Sequence, residues 1–496
     1  MNSLELLKLA APETIIVVTA LLVLAADLLT MQDLELRFRR LIGAMISCVG
    51  CLVAIGWMLA LPQHANYLQG LLVVDPLTQF IKIALLAMTI VTLVISIDTS
   101  FTTHVGEYCA LVLFAAVGMM FLVSSEDILM IFISLELTSL SLYILTAFNK
   151  RNLRSAEAAL KYFLFGGMSA AFTLFGLSLL YGLSNSSNLG QIAASLKSAK
   201  LDPLLIAAMV MTIIGFGFKV AAVPFHLWAP DAYEGAPTPS AAFIASGSKL
   251  ASFFILVKVM IVGFAGAEGS GAWRDFIPGW VPALAMVAAA SMVLGNLAAI
   301  VQSSVRRLLA YSAIAHAGYV LVGLLSHDGQ SFASIIFYVL TYGLTTLGAF
   351  GVVAVVQERV GNDRLSDFAG LSRRAPLLSF CMLIFMLSLA GIPPLAGFFG
   401  KFYLFTAALN GGPHGFGLIW LVIVAIGMSA VSLYYYLQVL KQIYVAAPPA
   451  DSVALETPVL SLVLLGLLAF AVLALGCAPN LLLGKLLTTI HLAGSP

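Results

Sequence analysis

The sequence predicts an all-α integral membrane protein. Hydrophobic residues make up 61% of the chain, and Asp, Glu, Lys and Arg only 9%, whereas a soluble domain carries roughly 25% charged residues. A spanning helix needs roughly 20 apolar residues, so the chain has room for about 14 spans and no large soluble domain. Lipid is therefore the partner of most of its surface. A net charge of +1 argues against a nucleic acid partner.

Hydropathy and loop signals place the spans. The first is interpreted as a span and not as a signal peptide, because Glu5 and Lys8 precede it and no small-residue cleavage site follows. The predicted ranges are 13–31, 41–61, 77–98, 107–124, 127–148, 156–183, 203–224, 239–264, 279–302, 307–326, 331–357, 376–409, 416–445 and 457–477.

Basic residues concentrate in connections of one parity. Thirteen Lys or Arg residues lie in connections after odd-numbered spans, and only Lys197, Lys200 and Arg274 lie in the others. Cytoplasmic connections are enriched in Lys and Arg. The odd connections are therefore assigned to the cytoplasm, or the equivalent negative side, and both termini to the opposite face.

Polar residues inside the spans suggest an internal repeat. Glu136 precedes Lys219 by 83 positions, and His316 precedes Lys401 by 85. The two pairs are offset by five helices, an odd number, so the repeat would be inverted in the membrane, as in many transporters. A chance spacing is the alternative.

Prolines predict that the seventh and twelfth helices are broken. Pro224 leaves the carbonyl of Val220 without its helical partner, and the Pro393–Pro394 pair does the same to Leu389 and Ala390. Free carbonyls in a bilayer must meet water or polar side chains. Because a lysine lies near each break, we expect a hydrated pathway there; simple kinks are the alternative.

Four charged residues within spans are the main candidates for function: Glu136, Lys219, Lys249 and Lys401. Each charge costs roughly 2.5–3.5 kcal/mol at the centre of a span. A buried lysine can load and release a proton, whereas arginine cannot. An acid beside Lys219 would hold that proton until the pair separates, so Glu136 and Lys219 would act as a switch.

Three secondary candidates are Glu107, Lys161 and His316. Glu107 is a second acid or an interfacial charge, and Lys161 is conductive or forms a helix-surface pair with Glu157. His316 is a relay candidate because histidine titrates near pH ~6.5. The roles of Lys82, His226 and Lys258 stay open.

The sequence shows no motif for a cofactor. There is no phosphate-binding glycine loop and no ligand cluster for haem or iron–sulfur. Cys48 and Cys51 have metal-site spacing but lie mid-span without nearby His or acid, so packing is the favoured interpretation.

Several long motifs closely resemble the antiporter-like subunits of respiratory complex I. They include RSAEAALKYFLFGG, GFKVAAVPFHLWAPDAYEGAPTPSAAFIASGSK, RRLLAYSAIAHAGY and SLAGIPPLAGFFGKFYLF. LAAPETIIV, VDPLTQFIK and RRAPLLSF look like the subunit N group, the counterpart of mitochondrial subunit 2. The resemblance implies 14 helices with two inverted five-helix repeats, divided as 1–106, 107–264, 265–445 and 446–496.

The resemblance also implies roles by position. Glu136 matches the fifth-helix glutamate, Lys219 the central lysine, Lys249 the connecting lysine and Lys401 the residue near the exit. Glu107 and Lys161 match polar positions of the hydrophilic axis, and His316 matches a tenth-helix histidine.

The implied partners are the other membrane subunits of complex I, including related antiporter-like ones. FMN, iron–sulfur clusters and quinone would lie in partner subunits and none in this chain. The implied location is a bacterial plasma membrane, or alternatively the mitochondrial inner membrane. The rivals are a subunit of a multisubunit cation/proton antiporter, of a membrane-bound hydrogenase or of a ferredoxin-fed photosynthetic complex, and a purely structural scaffold.

Overall fold

The computed structural model describes residues 3–61, 64–196, 201–326, 329–410, 417–448 and 454–493. Lys197 and Lys200 of the charge argument lie outside these residues. Two units divide the chain: unit 1 takes the described residues within Met1–Phe216, Gly235–Ala267 and Thr489–Ser495, and unit 2 those within Gly217–Glu234 and Glu268–Thr488. The four predicted segments stay a prediction.

Helices form most of both units. They are α1 (Ser3–Leu9), α2 (Ala11–Leu29), α3 (Leu36–Leu59), α4 (Pro76–Ile97), α5 (Val105–Val123), α6 (Ile128–Thr146), α7 (Leu153–Ser184), α8 (Leu189–Leu196), α9 (Pro203–Lys219), α10 (Trp228–Gly235), α11 (Thr238–Ala245), α12 (Gly247–Lys258), α13 (Trp280–Ile300), α14 (Val305–Leu324), α15 (Gly329–Val360), α16 (Leu371–Arg374), α17 (Pro376–Ala390), α18 (Ala396–Asn410), α19 (Ile419–Tyr444), α20 (Val459–Cys477) and α21 (Asn480–Ala493).

Twelve helical segments within the described residues are long and apolar enough to cross a membrane. One of them, Thr238–Gly263, joins α11, α12 and a π-helical turn. This confirms the all-α multi-span class. The predicted seventh span coincides with α9, and the predicted twelfth span coincides with α17 and α18. These helices are short because a break separates α9 from α10 and another separates α17 from α18. The count of 14 stays a prediction.

Side-chain caps set where several spans begin. Asp75 caps α4: its Oδ1 accepts from the Thr78 N–H at 2.8 Å, and Thr78 Oγ1 accepts from the Asp75 N–H at 3.0 Å. Asp127, Asn152 and Ser304 cap α6, α7 and α14 by accepting from backbone N–H groups of the first turn. Such caps satisfy N–H groups that have no partner within the helix.

The breaks in the seventh and twelfth helices share one backbone motif. Ala221 and Gly391 have left-handed φ angles of 58° and 86°. The next residue in each case donates its N–H to the carbonyl five positions back, from Ala222 to Gly217 and from Ile392 to Leu387. This is the Schellman ending. It ends α9 at Lys219, so the predicted end at residue 224 was wrong.

Connections of equal parity lie together in unit 1. At one end, Arg39 of α3 pairs with Asp27 of α2, and Asp27 also accepts from the Gly106 N–H at 2.9 Å. At the other end, the Glu126 N–H donates to Gly70 at 2.8 Å, and the Leu189 N–H donates to Glu126 at 2.9 Å. Both sets agree with the predicted alternation of sides.

Connections of equal parity also lie together in unit 2. The Leu365 N–H donates to Ser303 at 2.8 Å, and the Gly370 N–H donates to Gln442 at 3.0 Å. These bonds join two of the connections assigned to the cytoplasm to each other and to the last turn of α19, whose Lys441 was counted with the third. The described basic residues Arg306, Arg364 and Arg374 lie in or beside them.

Two short hairpins were not predicted. β1 (Ala65–Tyr67) pairs with β2 (Leu72–Val74), and β3 (Ser270–Ala272) pairs with β4 (Asp275–Ile277), both antiparallel. Each occupies a connection of even parity. They escaped prediction because three-residue strands give no periodic signal.

Candidate functional site

Lys401 lies in α18 and reaches back to the end of α17. Its Nζ donates to the carbonyl oxygens of Leu389 at 3.1 Å and Ala390 at 3.0 Å, and to Ser429 Oγ at 2.8 Å. The residue is only 5% exposed. Both carbonyls are those that the prolines of the break were predicted to leave without helical partners. The lysine near the break is thus their partner.

This arrangement matches a protonated lysine. An ammonium has three N–H donors, and the three contacts supply one acceptor for each. The Tyr319 ring adds a cation–π contact, with its centroid 5.1 Å from Nζ. Of the three acceptors, only the half-buried Ser429 hydroxyl can both take up and give away a proton. Ser429 therefore provides the route by which a proton could leave Lys401.

His316 lies in α14 between two tyrosines of other helices. Nδ1 is 2.6 Å from the Tyr338 hydroxyl, and Nε2 is 3.1 Å from the Tyr436 hydroxyl, which is itself 2.5 Å from Ser312 Oγ. A neutral imidazole donates from one nitrogen and accepts at the other. Exchanging the tautomer would therefore reverse the direction of donation along this chain, as a proton relay requires.

A second hydrogen-bonded chain lies beside the first. Asn296 Nδ2 donates to the Tyr319 hydroxyl at 3.0 Å, and Asn296 Oδ1 accepts from the Tyr435 hydroxyl at 3.0 Å. The His316 and Tyr319 rings are 5.6 Å apart. Tyr319 thus contacts both His316 and the Lys401 ammonium, so these two predicted residues share one buried cluster.

Lys219 ends α9 at the break of the seventh helix and is half-buried. One carbonyl at this break, that of Phe218, accepts from a side chain, Trp228 Nε1, at 3.0 Å. Val220, whose carbonyl the sequence predicts to lack a helical partner, lies just beyond the end of α9. Beyond the break, the Val223 N–H donates to Ser291 Oγ at 2.8 Å.

The remaining main candidates lie in unit 1. Lys249 is 2% exposed and follows a kink at Ser246 between α11 and α12. Glu136 lies in α6 and is half-buried. Because Glu136 belongs to unit 1 and Lys219 to unit 2, the ion pair between them stays a prediction.

Two secondary candidates are partly exposed. Lys161 Nζ is 2.7 Å from Glu157 Oε1, with side chains 41% and 63% exposed, which is the geometry of a helix-surface pair. Glu107 Oε1 is 3.1 Å from the exposed His104 Nδ1. Their part in any hydrophilic axis stays a prediction.

One buried ion pair and the tyrosines of the site were not predicted from the sequence. Lys82, whose role was left open, lies 2.6 Å from Glu13, and both are buried. Lys258 pairs with Glu126 at 2.9 Å. The tyrosines could have been proposed as hydrogen-bonding residues from the sequence, because a buried Tyr hydroxyl needs a partner. Cys48 is a free thiol in α3, and His226, whose role stays open, is buried in the seventh-helix break.

The fold and the site define a class: a multi-span helical membrane protein with broken helices and buried lysines. The family described as "NADH:quinone oxidoreductase/Mrp antiporter, TM" matches residues 125–430. The chain is 53% identical to NADH-quinone oxidoreductase subunit N 2 of Acidobacterium capsulatum, over 97% of this chain and 98% of that one.

Solved structures share the fold of this chain. A chain of respiratory complex I from Thermus thermophilus with bound aureothin is 34% identical, with a TM-score of 0.76 over 96% of this chain and 99% of that one. A chain of the Mrp complex from Dietzia shares the fold, with a TM-score of 0.81 at 20% identity over 98% and 97% of the two chains. The chain belongs to the NADH:quinone oxidoreductase/Mrp antiporter membrane family.

Proposed function

We propose that the chain is an antiporter-like, proton-translocating membrane subunit of NADH-quinone oxidoreductase in the plasma membrane of a bacterium. The near full-length similarity to a subunit N protein and to a chain of respiratory complex I supports this. Its partners are other membrane subunits of that complex, including related antiporter-like ones. The oxidoreductase activity belongs to the assembly.

One observation carries the proton role: the buried ammonium of Lys401 at the broken twelfth helix. A cation there is held by two freed carbonyls and one hydroxyl. A lysine that supplied only a fixed charge would need no hydroxyl to accept its proton, and a helix kink among apolar side chains would need no lysine. The combination suits a residue that binds a proton, holds it and passes it on.

The proposed path runs through Lys219, Lys249 and Lys401. Quinone reduction in partner subunits shifts the pair of Glu136 and Lys219, which changes how tightly Lys219 holds its proton. Protons then pass to Lys401 and leave on the non-cytoplasmic side. The His316 chain, with a tyrosine hydroxyl on each ring nitrogen, acts as the relay close to Lys401.

The redox groups belong to partner subunits in this proposal. FMN, iron–sulfur clusters and quinone are bound there, and this chain binds none of them. The isolated subunit should therefore neither oxidise NADH nor reduce quinone. Stoichiometric flavin, haem or iron–sulfur in the purified chain would contradict this part.

A subunit of a multisubunit cation/proton antiporter is the second candidate, favoured by the fold shared with a chain of the Mrp complex. The two functions predict different assemblies. A native complex isolated in mild detergent should show flavin and iron–sulfur absorbance if the first proposal is right, and neither if the chain serves an antiporter.

The relay is tested at Lys219 in the assembled complex. Lys219→Ala removes the titrating group and should abolish transport through this subunit and slow electron transfer. Lys219→Arg keeps the charge but does not readily release its proton, so it should be impaired almost as severely. Proton pumping and quinone reduction are measured in proteoliposomes.

Lys441→Ala, in the last turn of α19, is the matched control and should leave pumping unchanged. Full pumping by the arginine variant would show that a fixed charge suffices. That result would rule out the relay at Lys219.

A further inference from the structure

Helix α2 carries two buried carboxylates, one near each end. Glu13 and Asp27 are each 1% exposed. Each faces a basic residue from another helix, Lys82 of α4 and Arg39 of α3 respectively. Burying a charge is costly unless it is paired and its remaining lone pairs accept hydrogen bonds. The two sites can therefore be compared by how completely each meets that requirement.

At the Asp27 site, the buried carboxylate is paired and both of its oxygens accept hydrogen bonds. Arg39 Nε and Nη2 donate to the two carboxylate oxygens, both at 2.9 Å, and the Gly106 N–H donates to Oδ2 at 2.9 Å. Glycine is required at 106 because a Cβ there would lie 2.6 Å from the Asp27 Cβ. A bidentate pair with an added backbone donor is a fixed structural clamp.

The Glu13 site does not meet this requirement for burying a charge. Lys82 Nζ lies 2.6 Å from Oε1, yet within the described residues neither carboxylate oxygen receives a well-directed hydrogen bond, and both are shielded from solvent. A purely structural pair would leave a large desolvation cost uncompensated. A buried polar atom without a partner needs an explanation, and a catalytic role or a bound water is one.

The pair of Glu13 and Lys82 lies near one end of its two helices. Glu13 lies in the first turn of α2 and Lys82 in the second turn of α4, at the end that the charge argument assigns to the non-cytoplasmic side. The buried residues Leu9, Leu72 and Val74 form an apolar cluster at the same end. The pair is thus enclosed, but close to the face on which protons are released.

We propose that Glu13 and Lys82 form a proton-exchange site that binds a proton and water, outside both predicted repeats. The proton moves from Lys82 Nζ to a Glu13 oxygen: one N–H bond breaks, one O–H bond forms, and the ion pair becomes a neutral amine and a neutral acid. No electron is transferred. This inference rests on the proposed function, since proton transport gives the site its use.

The test uses the intact complex in proteoliposomes. Glu13→Gln, Lys82→Met and the double variant are compared for assembly, NADH-driven quinone reduction and protons pumped per NADH. Replacing both members of a structural ion pair by neutral groups is often harmless or stabilising, whereas removing one partner is not. The double variant therefore separates the two roles.

We expect the double variant to assemble and to pump fewer protons per NADH than wild type, and we expect each single variant to assemble in lower yield with the same loss of pumping in its assembled fraction. Asp27→Asn is the matched control: it should reduce the yield of complex but leave the pumping ratio of the assembled fraction unchanged. Wild-type pumping by the double variant would overturn the proposal. Failure of the double variant to assemble would also overturn it, because the pair would then be a clamp.

The same measurements on Lys219→Arg keep the two proposals apart. If that variant loses pumping while the Glu13 and Lys82 double variant pumps normally, only the exchange site is rejected. If the arginine variant pumps fully, the relay itself is rejected, whatever the pair does.

Discussion

Ser429→Ala removes one of the three acceptors that hold the Lys401 ammonium. Ser429 Oγ accepts from Nζ at 2.8 Å, while the two carbonyls of the break accept the other donors. A hydrogen bond to a charged group contributes about 1.5–3 kcal/mol. The substitution should therefore disfavour the protonated form by about 10-fold to 150-fold, since each 1.4 kcal/mol is about tenfold.

The variant also removes the one acceptor that can pass a proton onward. We therefore expect the assembled complex to reduce quinone more slowly and to pump fewer protons per NADH in proteoliposomes. Ser429→Thr keeps the hydroxyl and should retain most pumping. Both effects depend on the complex assembling normally, which native gels and its spectrum check.

Ser432→Ala is the matched control. Ser432 is on the same helix and buried, and its hydroxyl donates to the carbonyl of Ser429 at 2.6 Å without contacting Lys401. It removes a buried hydroxyl but no acceptor of the ammonium. Equal pumping defects in the two alanine variants, or full pumping by Ser429→Ala, would refute the assignment of Ser429 as the exit of Lys401.

Three further predictions concern topology, the break and a loop carboxylate. A single cysteine at Arg374 should react with an impermeant thiol reagent only from the cytoplasm, and one at Gln330 only from outside. Gly397→Ala should prevent assembly because a Cβ would overlap the end of α17, whereas Gly427→Ala has open space and should assemble. Burial raises the pKa of Asp363, but an adjacent arginine and hydrogen bonds outweigh burial and lower the pKa below 3.8. Asp363→Asn should therefore lower the melting temperature at pH 7. The difference in melting temperature should shrink as the pH falls below 3.8.

The features that the sequence predicted follow from local physics. A proline removes an N–H at a known position, so the freed carbonyls of Leu389 and Ala390 could be named before any packing was known. A charge in an apolar span is costly wherever the span lies, which singled out Lys249 and Lys401. Both are buried in the structure.

The features that were missed depend on which helices are neighbours. Glu13 and Lys82 lie on α2 and α4, and nothing along the chain shows that these helices bring the two side chains together. The ring nitrogens of His316 meet Tyr338 and Tyr436, 22 and 120 residues away. Hydropathy treats such tyrosines as ordinary span residues, so their hydroxyls go unnoticed.

The two helix breaks share a backbone ending, and a different kind of side chain donates to the carbonyls described at each. At the seventh, the Phe218 carbonyl accepts from the neutral indole N–H of Trp228, which has no second charge state at physiological pH. At the twelfth, the acceptors depend on Lys401. A neutral amine has two N–H donors instead of three, so release of the proton leaves one acceptor among Leu389, Ala390 and Ser429 without its bond. We therefore expect release of a proton from Lys401, under the proposed function, to alter the packing of α17, α18 and α19 at the twelfth-helix break.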